Sequence, residues 1–225
     1  MLDLREMQHM SDSLSRPAVP SALRAARTRG AGRPVQERSQ ERIARALAAA
    51  ERLVVEVGLE RVSIPEIEKA SKVPRASIYQ YFPDKYAIFS RLSQDHMQRY
   101  MAFIMAAHPA GRHTEWRTMV RAVLADTAAY YNANAAASVL LLKGPFSSTD
   151  HDAHLAKDAN LARWLRTQFA DAGLAKLPEV PDVMALAVEI AFACLKYGYS
   201  HEGRASEAIC DHAGKAVISY LAIWA

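Results

Sequence analysis

The sequence predicts an all-α protein with about nine helices, a small three-helix head at the N-terminal side and a longer helical bundle after it. Three observations carry this. Apolar residues recur every three or four positions through most of the 225 residues, the period of helices that bury one face. No stretch alternates apolar and polar residues as a half-buried strand would. Gly and Pro fall between the periodic stretches, in "HPAGRH" (108–113), "GPFSST" (144–149), "AGLAKLPEVP" (172–181) and "SHEGRAS" (200–206), where they can end one helix and release the next.

Composition narrows the class. A hydrophobic content of 51% fills a sizeable core. There is no run of 18 uncharged apolar residues, and the start "MLDLREMQHMSDSL" mixes acids among its hydrophobes without a cleavage site, so neither a membrane span nor a secretory signal is expected. The expectation is a cytoplasmic protein. Cys194 and Cys210 form neither a disulfide framework nor a metal spacing; no cofactor and no metal is expected. Charge is uneven: residues 1–100 hold 17 Lys and Arg against 12 Asp and Glu, whereas 101–225 hold 11 against 12. A basic excess in the first half suits a polyanionic partner.

Residues 1–36 are rich in Ser, Pro, Gly, Ala and Arg, lack an apolar period and contain no acid from Arg16 to Val35, which predicts a disordered basic arm. Within it Gly32-Arg33-Pro34 is like the centre of a segment that lays arginines in an A·T minor groove, and Arg24, Arg27, Arg29 and Arg33 could attract phosphates without sequence preference. The first helix is expected over 39–57, since Ile43, Leu47, Ala50, Val54 and Val57 form a stripe and Gly58 supplies a stop. Ser63 and Glu66 then make a capping box, with Pro65 in the first turn and Ile64, Ile67 and Ala70 on one side. Pro74 breaks this helix near 71–74 and starts a third, 75–81. Pro83 stops that one, and Asp84 caps a fourth carrying Tyr86, Phe89, Leu92 and His96 inward. Further helices are expected at about 84–107, 113–133, 137–143, 150–172, 182–199 and 204–224.

Short helices joined by a four-residue break have the layout of a helix-turn-helix unit, and the chemistry of the third fits one that enters a major groove. Ile78 and Phe82, four apart, anchor the inner side. Arg75, Ala76, Tyr79 and Gln80 are left for base edges: Arg75 for guanine O6/N7, Gln80 for adenine, Ala76 or Tyr79 for a thymine methyl. Ser63, Ser77, Tyr81 and Lys85 sit near helix ends, where they suit phosphate oxygens. Tyr79 and Tyr81 at helical spacing can also be core.

The stretch "SIPEIEKASKVPRASIYQYFPDK" (63–85) resembles the helix-turn-helix of the TetR (tetracycline-repressor) family of bacterial regulators, through Ser63, Ile67, Val73, Ser77, Ile78, Tyr79, Tyr81, Phe82 and Lys85. It departs from the family pattern at Glu68, Ser71, Lys72 and Pro74; Lys72 stands where the turn usually has Gly. Pro65 removes a position from which some members reach a base. The resemblance covers about 38–90 and implies a DNA-binding domain at 37–90 and a ligand-binding and dimerisation domain at 91–225.

It implies further partners. A regulator of this kind binds a near-palindromic double-stranded DNA operator as a homodimer and responds to a small-molecule effector. The matching dimer helices carry Met184, Ala187, Val188, Ala191 and Leu195, then Ile209, Ala213, Ala216, Val217, Tyr220, Leu221 and Trp224. An effector pocket would draw on Trp116, Val120, Tyr130, Tyr131, Leu140, Phe146, Trp164 and Phe169, which suit a hydrophobic or aromatic compound. Repressor is the expected role; an activator with the same head fits equally. The competing class is an all-helical enzyme using Asp150, His151 and Asp152 as acid and base, and with His154 the group has the ligand types for a metal, but acids opening a helix are explained as caps, and no nucleophile elbow or phosphate loop accompanies them.

Overall fold

The computed structural model describes residues 32–143 and 148–225. Nine α-helices are found among them, with no extended strand: α1 Gly32–Val57, α2 Ile64–Ser71, α3 Arg75–Tyr79, α4 Lys85–Ala107, α5 Trp116–Ala133, α6 Ala135–Leu141, α7 Ser148–Asp171, α8 Val183–Glu202 and α9 Glu207–Leu221, followed by a 3-10 turn at Ala222–Trp224. The chain divides into two compact units, Met1–Glu41 and Arg42–Ala225. In the first, the described part is the start of α1. Residues 32–36, expected in the arm, are helical, because Pro34 falls in the first turn, where no intrahelical N–H bond is lost. Gly32-Arg33-Pro34 is therefore not the extended strip that a groove-lining segment needs. Arg24, Arg27, Arg29 and the rest of the arm lie outside the described residues.

In the second unit, Ala46, Ala50 and Val54 of α1 turn into the core with Ile67 of α2, Val73 of the turn and Ile78 of α3. The caps sit where sequence placed them. Ser63 Oγ accepts from the Glu66 N–H at 3.5 Å and donates to the Glu66 carboxylate at 2.9 Å. Asp84 accepts from the Ala87 N–H at 2.9 Å, and Gly58 ends α1 at φ 81°. Three inward assignments fail. Val57, Ala70 and Tyr86 are exposed, because each lies at the end of its stripe, where the helix leaves the core; Ile88 and Phe89 fill the place expected for Tyr86.

α4 is unbroken from the head into the bundle, passing straight through position 90, where a domain boundary was expected. Its inner face, Leu92, His96, Tyr100 and Ile104, packs on α5, α6 and α7. α8 packs on α7 and α9, and α9 returns to α5. Gly198 lets α8 approach α9 closely, since a Cβ there would stand 2.9 Å from Ile209. Asn132 fastens α5 to the turn between them, exchanging two hydrogen bonds with the Ala205 backbone at 2.8 and 3.0 Å. By length and composition α8 alone among the described helices could cross a bilayer, yet one of its faces lies on α7 and α9.

Candidate nucleic-acid interface and body cavity

α3 is short because Pro83 follows it, and it is held from beneath: Ile78 and Phe82 are buried. Its other face is open. Arg75, Ala76 and Gln80 are exposed, and Tyr79 and Tyr81 keep 50% and 40% of their surface open to solvent. For Tyr79 this excludes a core position, since a ring packed in the core would be closed to water. The turn before α3 contains Lys72 at φ 55°, the left-handed geometry that the family's usual Gly would adopt without strain. Pro74, at the N-cap, offers no side-chain cap. Glu68 of α2 replaces it: one carboxylate oxygen accepts from the Arg75 N–H at 2.8 Å and the other from Arg75 Nε at 3.2 Å. The bond from the Arg75 N–H, helped by the guanidinium, holds the Glu68 carboxyl below the usual carboxylate range.

Ser63 and Ser77 lie half-buried at the starts of α2 and α3. Lys85 is turned away from the open face. Its ammonium donates to the carbonyls of Leu59 and Glu60 at 3.2 and 3.0 Å and lies 5.4 Å from the Tyr86 ring. It fastens the end of α1 to the start of α4, a structural use that the sequence reading of a phosphate contact did not include.

The bundle encloses a cavity of about 50 Å³ between α4, α5, α7, α8 and α9. Of the residues expected in a pocket, Val120 and Phe169 line it. Trp116, Tyr130, Tyr131 and Leu140 are buried elsewhere in the core and Trp164 is half-buried, because these helices pack their bulkiest rings on one another. Tyr130 and Tyr131 lie 5.4 and 5.3 Å from the Tyr100 ring. Phe146 falls outside the described residues. Sequence reading missed Tyr100, Thr127 and Phe192, which also line the cavity; the inward stripe of α4 through Tyr100 was the available signal. The Tyr100 hydroxyl and Thr127 Oγ1, 3.0 Å apart, are a polar pair in an otherwise apolar wall.

Most of the residues expected in a dimer interface are packed within the chain's own core. Met184, Ala187, Val188, Leu195, Ala213, Val217 and Leu221 are buried within the chain, and Met184, Val188, Ala191, Leu195, Val217 and Leu221 line the cavity. Ile209, Tyr220 and Trp224 are half-buried against the core, and Ala216 is exposed. The most apolar stripe of each helix faces inward. What α8 turns outward is Leu186, Ala193 and Tyr197, with Tyr197 stacked on His201 at 4.0 Å.

Residues 46–92 match the model of the bacterial regulatory proteins of the tetR family. Over that stretch the chain is similar to the DNA-binding part of those regulators. The match covers α2, α3 and the later part of α1 from Ala46, and it ends in α4. The fold is similar to that of a TetR-family transcriptional regulator from Streptomyces coelicolor, with 21% identity, TM-score 0.64, 82% of this chain and 99% of that one covered. It is also similar to the fatty acid degradation regulator FadR from Bacillus halodurans (15%, 0.61, 78% and 93%) and to the TetR-family regulator PfmR from Thermus thermophilus (20%, 0.54, 77% and 93%). No curated protein sequence matches the chain. It is a DNA-binding transcriptional regulator with a helix-turn-helix head.

The acidic and histidine cluster at the start of α7 is split by its helix. Asp150 and His154, four apart, are buried with His154 Nε2 3.4 Å from an Asp150 oxygen, whereas His151 and Asp152 are exposed. His151 and His154 therefore do not converge, and no group of three metal-ligating side chains occurs among the described residues.

Proposed function

We propose that this chain is a ligand-responsive repressor that binds a near-palindromic operator as a homodimer and leaves it when a hydrophobic or aromatic compound enters the body. The observation that carries the DNA reading is the exposed face of α3, where Arg75, Ala76, Tyr79 and Gln80 stand over a buried Ile78 and Phe82. Arg75, Ala76, Tyr79 and Gln80 read bases; Ser63, Ser77 and Tyr81 fix position on phosphates. Lys85 serves as a brace between α1 and α4, and reaches phosphate only by leaving its carbonyls.

The dimer forms through the outward faces of α8 and α9, with Leu186, Ala193 and Tyr197 on one and Ala216 on the other, and sets two α3 helices about 34–36 Å apart. The effector enters at the cavity lined by Tyr100, Val120, Thr127 and Phe169. At about 50 Å³ it is far below the roughly 300 Å³ of an ordinary ligand site, so binding has to move helices apart, and a ligand that stabilises that opened body changes the spacing of the heads.

A gel shift with DNA flanking the protein's own gene tests this. The full chain binds with a log affinity that falls against log salt by about 0.9 per phosphate neutralised, Tyr79→Ala loses binding while keeping its helical signal, and one class of apolar compound releases the DNA. Binding that survives Tyr79→Ala unchanged, or that ignores salt, overturns the proposal.

A further inference from the structure

We infer that Glu68 is a specificity-setting positioning residue: its carboxylate buttresses Arg75 so that the guanidinium meets one guanine of each operator half-site in a single orientation. The inference rests on the reading of Arg75 as a base-contacting residue. Its basis is geometric. Arg75 opens α3, the end of a recognition helix that meets base edges. An arginine at such a place has several rotatable bonds, and freezing them at the moment of binding costs affinity for the right base as much as for the wrong one.

Here the freezing is done in advance. The same carboxylate that accepts from the Arg75 backbone N–H at 2.8 Å accepts from Nε at 3.2 Å, so the side chain is tied to α2 both at its backbone root and at Nε. A guanidinium can present guanine O6 and N7 either with its two terminal NH2 groups or with Nε and one of them. With Nε bonded to Glu68, the first mode remains. Glu68 also places a negative charge 3.2 Å from Arg75, which disfavours a second acceptor beside Nε and penalises a backbone phosphate more than a base edge with defined acceptors. The departure from the small residue of the family pattern and the loss of a capping side chain at Pro74 are thus one feature: Glu68 caps α3 from the preceding helix and aims its first residue.

The test is selection by the full chain from a pool of random duplexes, with Glu68→Gln, Arg75→Ala and the double variant beside the wild type. Glu68→Gln keeps an oxygen for the Arg75 N–H and so keeps the cap, but turns an NH2 toward Nε. The wild type selects one guanine per half-site by about tenfold or more. Glu68→Gln lowers that preference to about two- to threefold while preferences elsewhere in the site and the melting temperature hold, and total affinity for random DNA rises as a negative charge leaves the interface. In the Arg75→Ala background Glu68→Gln adds nothing at that position, the non-additivity expected of residues acting as one unit. An unchanged or sharpened guanine preference in Glu68→Gln, with Arg75→Ala still erasing it, overturns the buttress and leaves Arg75 as a reader. A site that keeps all its base preferences in Arg75→Ala overturns the underlying reading as well.

Discussion

Lys72 holds a backbone geometry that costs a side-chain-bearing residue on the order of 1 kcal/mol, and nothing in its surroundings demands a lysine, since it is exposed and caps α2 through its N–H to the Glu68 carbonyl at 2.9 Å. Lys72→Gly is expected to stabilise the chain by about 0.5–1 kcal/mol in urea unfolding; an unchanged or lowered midpoint contradicts the assignment of strain. Three residues apart, Tyr79 and Phe82 make the opposite contrast. Phe82 is 7% exposed, and Phe82→Ala is expected to cost about 3–5 kcal/mol. Tyr79→Ala, at 50% exposure, should stay within about 0.5 kcal/mol of wild type in the same unfolding series while abolishing DNA binding. That division was legible in the sequence because Ile78 and Phe82 are four apart on a helix. The Glu68 contact was not, because the two residues lie on different helices joined by a turn, across which no helical period holds, and the brace from Lys85 was not, because its partners are backbone carbonyls about 25 positions away, which no side-chain pattern records.

At the scale of elements the packing of α8 on α9 rests on one small residue. Gly198→Val would drive its side chain into Ile209 and toward the Arg204 carbonyl, 3.2 Å from the added Cβ, and is expected to destabilise by about 1–3 kcal/mol in thermal unfolding. A neutral outcome would mean that the two helices part without cost. The existence and order of the helices could be read from periodicity and Gly–Pro punctuation, with ends off by a few residues. Which face of α8 turns inward could not. Its apolar residues circle the helix, Met184, Ala187, Val188 and Leu195 on the inner side and Leu186, Ala193 and Tyr197 on the outer, so a period that marks one stripe elsewhere has no direction here.

For the molecule as a unit, acid is the condition to which stability is most exposed. Burial holds His96 below the ordinary imidazole range, with Arg99 adding to the effect and Glu51, 3.0 Å from Nε2, and Asp95 opposing it. Burial does the same to His108, against the pull of Asp126 at 3.0 Å and together with His113 and Arg112. Each group binds its proton more readily when unfolded, so the unfolded chain takes up protons first as pH falls through about 6.5. Stability is complete above that value and declines below it. Melting temperatures recorded from about pH 7.5 down to about pH 5.5 should fall, and less so in His96→Gln; a flat profile would sink the idea. One more consequence belongs to α4. A rod of 23 residues is about 35 Å long, and it is rooted among the cavity walls through Tyr100 while its other end carries Asp84 and the brace from Lys85. Tilted by about 5° at Tyr100, about 22 Å from its start, such a rod sweeps its tip through about 2 Å. A compound that forces the wall aside by the width of a few hydrogens can in this way misalign a reading head by a good part of a base step.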